Sequence, residues 1–387
     1  MRFSKNMQNM ELSIMKKIEM QAKALPDVVS LAQGIPSFDT PEHIKEAMRN
    51  ALQGKGIARY GSSKGMQELR AALAEKLARV NGIPAGGEEQ VLVTAGCMGA
   101  LKNAFLATVN QGEEILMPNP SYTPHIELAQ LMGARPKFFG LREEKEWALD
   151  IEDVGKQITE KTKAIVFSNP SNPTGRAYRK KELRELAGVA AQHGLWLIAD
   201  ETYEYFLYNG EKQYSIASDE EFREKTVSCF SFSKSYAMAG YRVGYMAASE
   251  EMIAQALKVQ GTFDICPSVI AQQGALAAVQ GKQECVEEFR QAFDRRRKKM
   301  VQGLREMGEF DFVEPEAAYY VFAKLRNGKS GEQYARELLE QAGVAVVPGK
   351  SFGKGLESYV RLCFAMEDKD IDTALERMRV FADKNRK

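Results

Sequence analysis

One lysine in this chain stands where it could act as a nucleophile. Lys234 lies in Ser231-Phe232-Ser233-Lys234, and Gly240-Tyr241-Arg242 follows shortly after. The apolar run Val227–Phe230 just before it reads as a buried strand, so Lys234 falls at a strand end, where a partly dry pocket can form. Desolvation favours the neutral amine, the form that attacks a carbonyl. The hydroxyls of Ser231 and Ser233 and the fork of Arg242 make a donor set that suits a phosphate. A lysine that meets an aldehyde beside a phosphate site describes the binding of pyridoxal phosphate. Ser-x-Ser-Lys alone would be no more than a surface loop; Gly-x-Arg beyond it makes the pattern specific.

Three further segments sit at the ends of predicted strands. Asp200-Glu201-Thr202-Tyr203 follows Trp196–Ala199. An acid there can pair with a protonated pyridine nitrogen and keep the ring an electron sink, and Tyr203 can hydrogen-bond the ring hydroxyl. Asn169-Pro170-Ser171-Asn172-Pro173-Thr174-Gly175 follows Ala164–Phe167, and the Asn172 amide can reach the ring oxygen. Ala95-Gly96-Cys97-Met98-Gly99 follows Val91–Thr94 and leads into a helical pattern. Small residues at a helix N-terminus present backbone N–H groups to an anion. Each segment has a plainer reading: a lone Asp caps a helix, and Pro and Gly make tight turns. All four at strand ends favour the site.

The elements that must position these residues follow from periodicity. Strands are predicted at Val91–Thr94, Ile115–Met117, Lys137–Phe139, Ala164–Phe167, Trp196–Ala199, Val227–Phe230 and Gly244–Ala247. Amphipathic helices lie between them, with Leu101, Phe105, Leu106 and Val109 on one face and Leu183, Leu186, Ala187 and Ala190 on another. Such alternation predicts an α/β sheet, mostly parallel, with helices on both faces. Upstream, Leu69, Leu73, Leu77 and Val80 predict a helix closed by Asn81-Gly82. After about Gln280 a long charged helix is expected, then strands near Tyr319–Ala323, Val344–Val347 and Tyr359–Phe364, which reads as a smaller α+β domain. The first forty-odd residues are rich in helix formers and turn irregular around Gly34, Pro36 and Pro41.

Composition narrows the function classes. At 387 residues the chain is long enough for a large domain and a smaller one. Lys and Arg number 53 against 52 Asp and Glu, so no basic excess points to nucleic acid. Arg295 to Lys299 read as the solvated face of the long helix. No apolar run has the length of a membrane span, and the N-terminal residues lack the apolar middle of a signal peptide. Five unclustered cysteines suggest a reducing compartment, the cytoplasm. His43, His125 and His193 lie at no ligand spacing, so no metal is expected. Gly349-Lys350-Ser351-Phe352-Gly353 matches a nucleophile elbow, but no histidine follows it. The same residues fail as a P-loop, because Val344 stands where glycine is required. Gly54-x-Gly56 and Gly353-x-Gly355 both lack the third glycine of a dinucleotide fingerprint.

Taken together the segments resemble the fold type I pyridoxal-phosphate enzymes, most closely the class I/II aminotransferases akin to bacterial aspartate and archaeal aromatic aminotransferases. The resemblance runs from Leu31-Ala32-Gln33-Gly34-Ile35-Pro36 to Tyr359-Val360-Arg361-Leu362. It implies a mostly parallel seven-stranded sheet in a large domain, residues 46-283, and a small α+β domain built from residues 1-45 and 284-387. It implies ping-pong transfer of an amino group between an L-amino acid and a 2-oxo acid. Lys234 would carry the cofactor and shuttle the proton at substrate Cα. Asp200 would bind the pyridine nitrogen, Asn172 and Tyr203 the ring oxygen, and Tyr122 would stack on the ring. Gly96, Cys97, Met98, Ser231, Ser233 and Arg242 would surround the phosphate. Arg361, with Asn172 and the Gly34 backbone, would clamp the substrate carboxylate. Tyr60 would reach the partner's phosphate, which implies a homodimer.

Two positions depart from common family patterns. Ala317-Ala318-Tyr319-Tyr320 stands where many relatives have Gly-Ala-Phe-Tyr, and Cys97-Met98 replaces small or polar residues in the phosphate turn. Carbon–sulfur lyases share the same cofactor site and are the alternative activity. The domain also serves as the sensor of some bacterial regulators. Those carry an N-terminal DNA-binding domain, and only about thirty residues precede Gly34, so that reading is not preferred.

Overall fold

Near-continuous apolar runs become strands buried on both faces, as parallel sheets under helices require. The computed structural model describes residues 3–10, 12–84 and 87–385. In chain order its strands are β1 (Val29–Ser30), β2 (Val91–Thr94), β3 (Glu114–Asn119), β4 (Arg135–Arg142), β5 (Ala148–Leu149), β6 (Thr162–Ser168) and β7 (Trp196–Asp200). They continue with β8 (Thr226–Ser231), β9 (Gly244–Ala247), β10 (Phe310–Phe312), β11 (Tyr320–Leu325), β12 (Val344–Ala345), β13 (Val347–Pro348) and β14 (Tyr359–Cys363). The large sheet has the order β2-β9-β8-β7-β6-β3-β4-β5. The pairs from β8 through β4 are parallel, and β9 runs antiparallel to both β8 and β2. The seven expected strands are all present. The eighth, β5, is two residues long and antiparallel to β4; it follows the charged Glu143–Lys145 turn and carries too little pattern to be read from sequence.

Period-two alternation divides the core between the two faces of this sheet. Ala164 and Val166 pack with Leu101, Ala104 and Phe105 of the helix Gly96–Thr108. Ile165 and Phe167 pack with Leu183, Leu186, Ala187 and Ala190 of the helix Lys180–Gln192. Each large apolar side chain buried in this way contributes about 1.5–3 kcal/mol. The chain leaves β3 for β4 on one side and later places β6 on the other. The carboxyl ends of β3 and β6 therefore flank a topological switch point, where ligands bind in open α/β sheets.

The small sheet, β10-β11-β14-β13, is antiparallel. Parallel pairing of Val29 with Val344 and Ser30 with Ala345 ties the two ends of the chain together. One core cluster joins Leu31 to Phe293, Val321, Leu362 and Phe381. The helix Glu284–Met307 spans the junction, with Val286 in the cluster of Ile44 and Met48 and Phe289 in that of Leu31. Residues 1, 2, 11, 386 and 387 of the expected end segments lie outside the described residues.

Two sequence expectations change. Arg295 to Lys299 is not one solvated face: Arg296 and Arg297 are 5% and 4% exposed. Arg296 pairs with Asp368 and donates to Ser37 Oγ; Arg297 pairs with Asp294 and Glu314. The pairing acids Glu314 and Asp368 come from other elements, so the charge run alone could not reveal them. The Leu69 helix is α-helical over Gln67–Lys76 and then widens into a π turn, Leu77–Asn81, closed by left-handed Gly82. The wider turn leaves Val80 exposed and carries Asn81 inward to Glu204. Among the described residues no helix is long and apolar enough to cross a membrane.

Candidate active site

Lys234 sits on the single helical turn Phe232–Ser235 after β8, which Ser231 caps by accepting from Ser233 N at 3.1 Å. Its Nζ donates to the Gly34 carbonyl at 2.6 Å. Burial pulls the amine down to about 8, and the cations Arg242 and Arg361 add to the pull. A neutral, nucleophilic amine is thus accessible near neutral pH.

Asp200, at the carboxyl end of β7, has a buried carboxylate with three donors around it. His125 Nε2 lies 3.2 Å from Oδ2, Thr202 N donates to Oδ1 at 3.1 Å, and the Cys97 thiol lies 3.5 Å from Oδ1. Burial would raise this carboxyl, but His125 and Thr202 outweigh it and hold Asp200 below its usual value. It is a buried anion held in place by its donors. His125 lies in the first turn of the helix Thr123–Leu131 with Tyr122 as its cap residue, and the two rings meet edge to face at 5.2 Å.

Asn172 lies in the loop after β6. Its Oδ1 accepts from Arg361 Nη1 at 3.1 Å, while its Nδ2 is buried with no hydrogen-bond partner among the described residues. An orphaned buried donor is costly and marks a place for an acceptor. The Tyr203 hydroxyl lies 2.9 Å from that of Tyr320. Burial raises the Tyr203 phenol well above its ordinary value, so it remains protonated.

At the other end of the pocket Gly96 opens the helix Gly96–Thr108 at φ 74°. A Cβ there would come within 2.5 Å of Arg242 Nη2, so only glycine lets the guanidinium approach the helix N-terminus. Arg242 is itself left-handed, at φ 55°, and donates to Ala239 O at 2.9 Å. Strain of this kind gathers at functional sites. Cys97 turns its thiol toward Asp200, so what it offers an anion is its backbone N–H.

A cavity of about 120 Å³ is lined by Cys97, Met98, Leu101, Tyr122, Asp200, Thr202, Tyr203, Ser231, Ser233, Lys234 and Arg242. Gly34 adjoins it through its bond to Lys234, while Asn172 and Arg361 bond each other and connect to it through Tyr320, whose hydroxyl meets that of Tyr203. Arg361, on β14, is 2% exposed, donates to Ala32 O, and lies over the Tyr320 ring at 4.4 Å. Tyr60 stands apart at 79% exposed and lines no part of this cavity. A larger cavity, about 570 Å³, lies beside the helix Gln67–Lys76, but its buried Lys76 is already held by Glu204, Asn81 and Tyr245.

His125, Thr202, Tyr320 and Ala32 were not singled out from sequence. His125 had a usable signal: it lies three residues after Tyr122, on the same helical face. The donor set fits a phosphorylated pyridine aldehyde. Ser231, Ser233, Arg242 and the Gly96 helix end suit its phosphate, Asp200 its ring nitrogen, the Asn172 amide its ring oxygen and Lys234 its aldehyde.

Comparison with known proteins agrees. The family model for aminotransferase class I and II matches residues 26–378. An aspartate aminotransferase of Pyrococcus abyssi is 39% identical over 360 residues, 92% of each chain. The aromatic-amino-acid aminotransferase 2 of Thermococcus litoralis is 35% identical over 98% of this chain and 97% of its own. The structure of Thermus thermophilus aspartate aminotransferase with maleate superposes at a TM-score of 0.92, with 36% identity, over 98% of this chain and 100% of that one.

Proposed function

The chain belongs to the class I and II aminotransferases, and from that premise we propose which of its residues carry the reaction and how. The enzyme moves an amino group between an L-amino acid and a 2-oxo acid by a ping-pong cycle, and its cofactor is pyridoxal 5'-phosphate. When bound, that cofactor supplies the electron sink that lets the substrate Cα–H bond ionise. Lys234 would hold the cofactor and would take and return the proton at substrate Cα. The accessible neutral form of its amine supports both tasks. Asp200, kept ionised by His125 and Thr202, holds the ring nitrogen protonated. Asn172 Nδ2 and the Tyr203 hydroxyl hold the ring oxygen, and Tyr122 covers a ring face. Ser231, Ser233, Arg242 and the backbone of Gly96, Cys97 and Met98 hold the phosphate. Arg361, with Asn172 and the Gly34 backbone, grips the carboxylate that every substrate shares.

The observation that carries this reading is the placement of Lys234 and Asp200 on the lining of one small cavity, with Ser231, Ser233 and Arg242 on the same lining. Borohydride reduction of the holoenzyme, followed by peptide mapping, should leave the cofactor fixed on Lys234, and Lys234→Ala should abolish turnover. An adduct on another lysine would defeat the assignment.

The relatives' names put aspartate and the aromatic amino acids first among donors to screen; the carbon–sulfur lyase alternative is not favoured. A homodimer in which Tyr60 serves the partner's phosphate accounts for an exposed tyrosine outside its own cavity. The cytoplasm is the assigned compartment, supported by five free cysteines. The division into residues 46-283 and the two end segments follows the core clusters only in part: Ile44 and Val286 pack on the large-domain side, and Tyr203, Phe206 and Tyr208 pack in the cluster of Leu31 and Phe293.

A further inference from the structure

The Gly34 carbonyl accepts two hydrogen bonds. Lys234 Nζ donates to it at 2.6 Å, and the Tyr319 hydroxyl donates at 3.0 Å. A carbonyl oxygen has two lone pairs, so both fit, but two donors on one oxygen weaken each other's hold. Gly34 has little room to shift, since a Cβ there would overlap the Tyr320 hydroxyl. The Tyr319 side chain is fully buried, with its ring edge to face with Tyr203 at 5.2 Å and tilted against Phe293 at 5.2 Å. Burial keeps its phenol well above the ordinary value, so it donates throughout the working range of pH.

We infer that Tyr319 is a positioning residue for Lys234: its hydroxyl fixes the Gly34 carbonyl and shares its lone pairs, so that the carbonyl steers the amine without holding its charged form fast. The inference rests on Lys234 being the amine that takes the cofactor. Removing the phenol leaves the carbonyl to Lys234 alone and favours the ammonium, which gives up its proton at higher pH. Tyr319 need touch neither substrate nor cofactor to act in this way.

The test uses the apoprotein. A trace acylating reagent is applied across a pH series, and acylation of the Lys234 peptide is quantified by mass spectrometry. Wild type should show a midpoint near 8. Tyr319→Phe should raise that midpoint by about half a unit or more, because the carbonyl then accepts from the ammonium alone. Placing 3-fluorotyrosine at position 319, a stronger donor of nearly the same shape, should lower it. Tyr334→Phe, a buried tyrosine packed on Phe310 and Phe381, should leave it unchanged. Midpoints that stay at the wild-type value in both position-319 variants, or that move in the same direction, overturn the inference. Should Tyr319→Phe not fold, the fluorotyrosine shift decides alone. A reduced cofactor adduct on a different lysine would instead defeat the assignment of Lys234, a separate result from a separate measurement.

Discussion

A guanidinium at 2% exposure has to be satisfied by groups that do not move. Arg361 donates to Asn172 Oδ1 and Ala32 O and lies over the Tyr320 ring. All three come from distant parts of the chain, so the fold builds this setting before any substrate arrives. A surface strand arginine in an exposed ion pair would contribute ~0–1 kcal/mol and nothing to catalysis; burial removes that reading. Truncating one partner of a buried charge-assisted pair costs on the order of 2–5 kcal/mol. Arg361→Ala should therefore lower kcat/KM by about 30-fold or more, for amino donors and 2-oxo acceptors alike. Arg361→Lys should be impaired as well, since lysine keeps the charge but not the fork. Cofactor occupancy should stay near wild type in both variants. Steady-state kinetics with the cofactor absorption band as control would check this, and a loss confined to cofactor binding would remove Arg361 from the substrate site.

At the scale of elements, the short segment after β1 does more than its length suggests. Leu31 N donates to Ala345 O and Leu31 O accepts from Cys363 N, so the segment is fastened between β12 and β14. From there Ala32 O reaches Arg361 and Gly34 O reaches Lys234 and Tyr319. Gly34→Ala should push into the Tyr320 hydroxyl. Overpacking of this kind costs about 1–3 kcal/mol, so the denaturation midpoint should fall and kcat/KM with it, by roughly tenfold or more. A fully active, equally stable variant would show that the segment yields more easily than its bonds imply. None of this fastening was legible in the sequence: the pattern around Gly34, Pro36 and Pro41 read as irregular chain, and Gly34 entered the site only through the family resemblance. The strands were legible because buried parallel strands are apolar on both faces, as in Ala164–Phe167. The two-residue β5 was not, and neither was the burial of Arg296 and Arg297, whose partners Asp368 and Glu314 lie on other elements, although Asp294 sits on the same helix. Most site residues that sequence named, among them Lys234, Asp200 and Asn172, follow strand ends within short motifs; Arg361, in the middle of β14, and Gly34 and Tyr60, in irregular chain, came from the resemblance. Of those it missed, Thr202 lies inside a named motif and His125 three residues after Tyr122, while Tyr320 and Ala32 reach the site only through tertiary packing.

For the whole molecule, the role proposed for Tyr60 makes the number of chains in one site a testable question. It is 79% exposed and lines no part of its own chain's cavity, which fits a side chain that completes the site of a second copy. Closed dimers of this kind are isologous, so each chain would give one tyrosine and receive one. Tyr60→Ala should weaken cofactor binding roughly tenfold or more, the loss expected for one hydrogen bond to a charged phosphate. Sharing across the interface makes a sharper prediction. A hybrid dimer pairs one Lys234→Ala chain with one Tyr60→Ala chain. If Tyr60 serves the partner, the site with an intact Lys234 receives an intact Tyr60, while the other site lacks both. The hybrid should then show about half of wild-type activity at limiting cofactor, carried by one normal site. If Tyr60 serves its own chain, one site lacks Lys234 and the other lacks Tyr60, and no normal site exists. Co-expression with two affinity tags, isolation of the doubly tagged species and a cofactor titration would separate the outcomes. A hybrid with the weakened cofactor affinity of the Tyr60→Ala homodimer would place Tyr60 outside any shared site, and a monomer on sedimentation would remove the interface altogether.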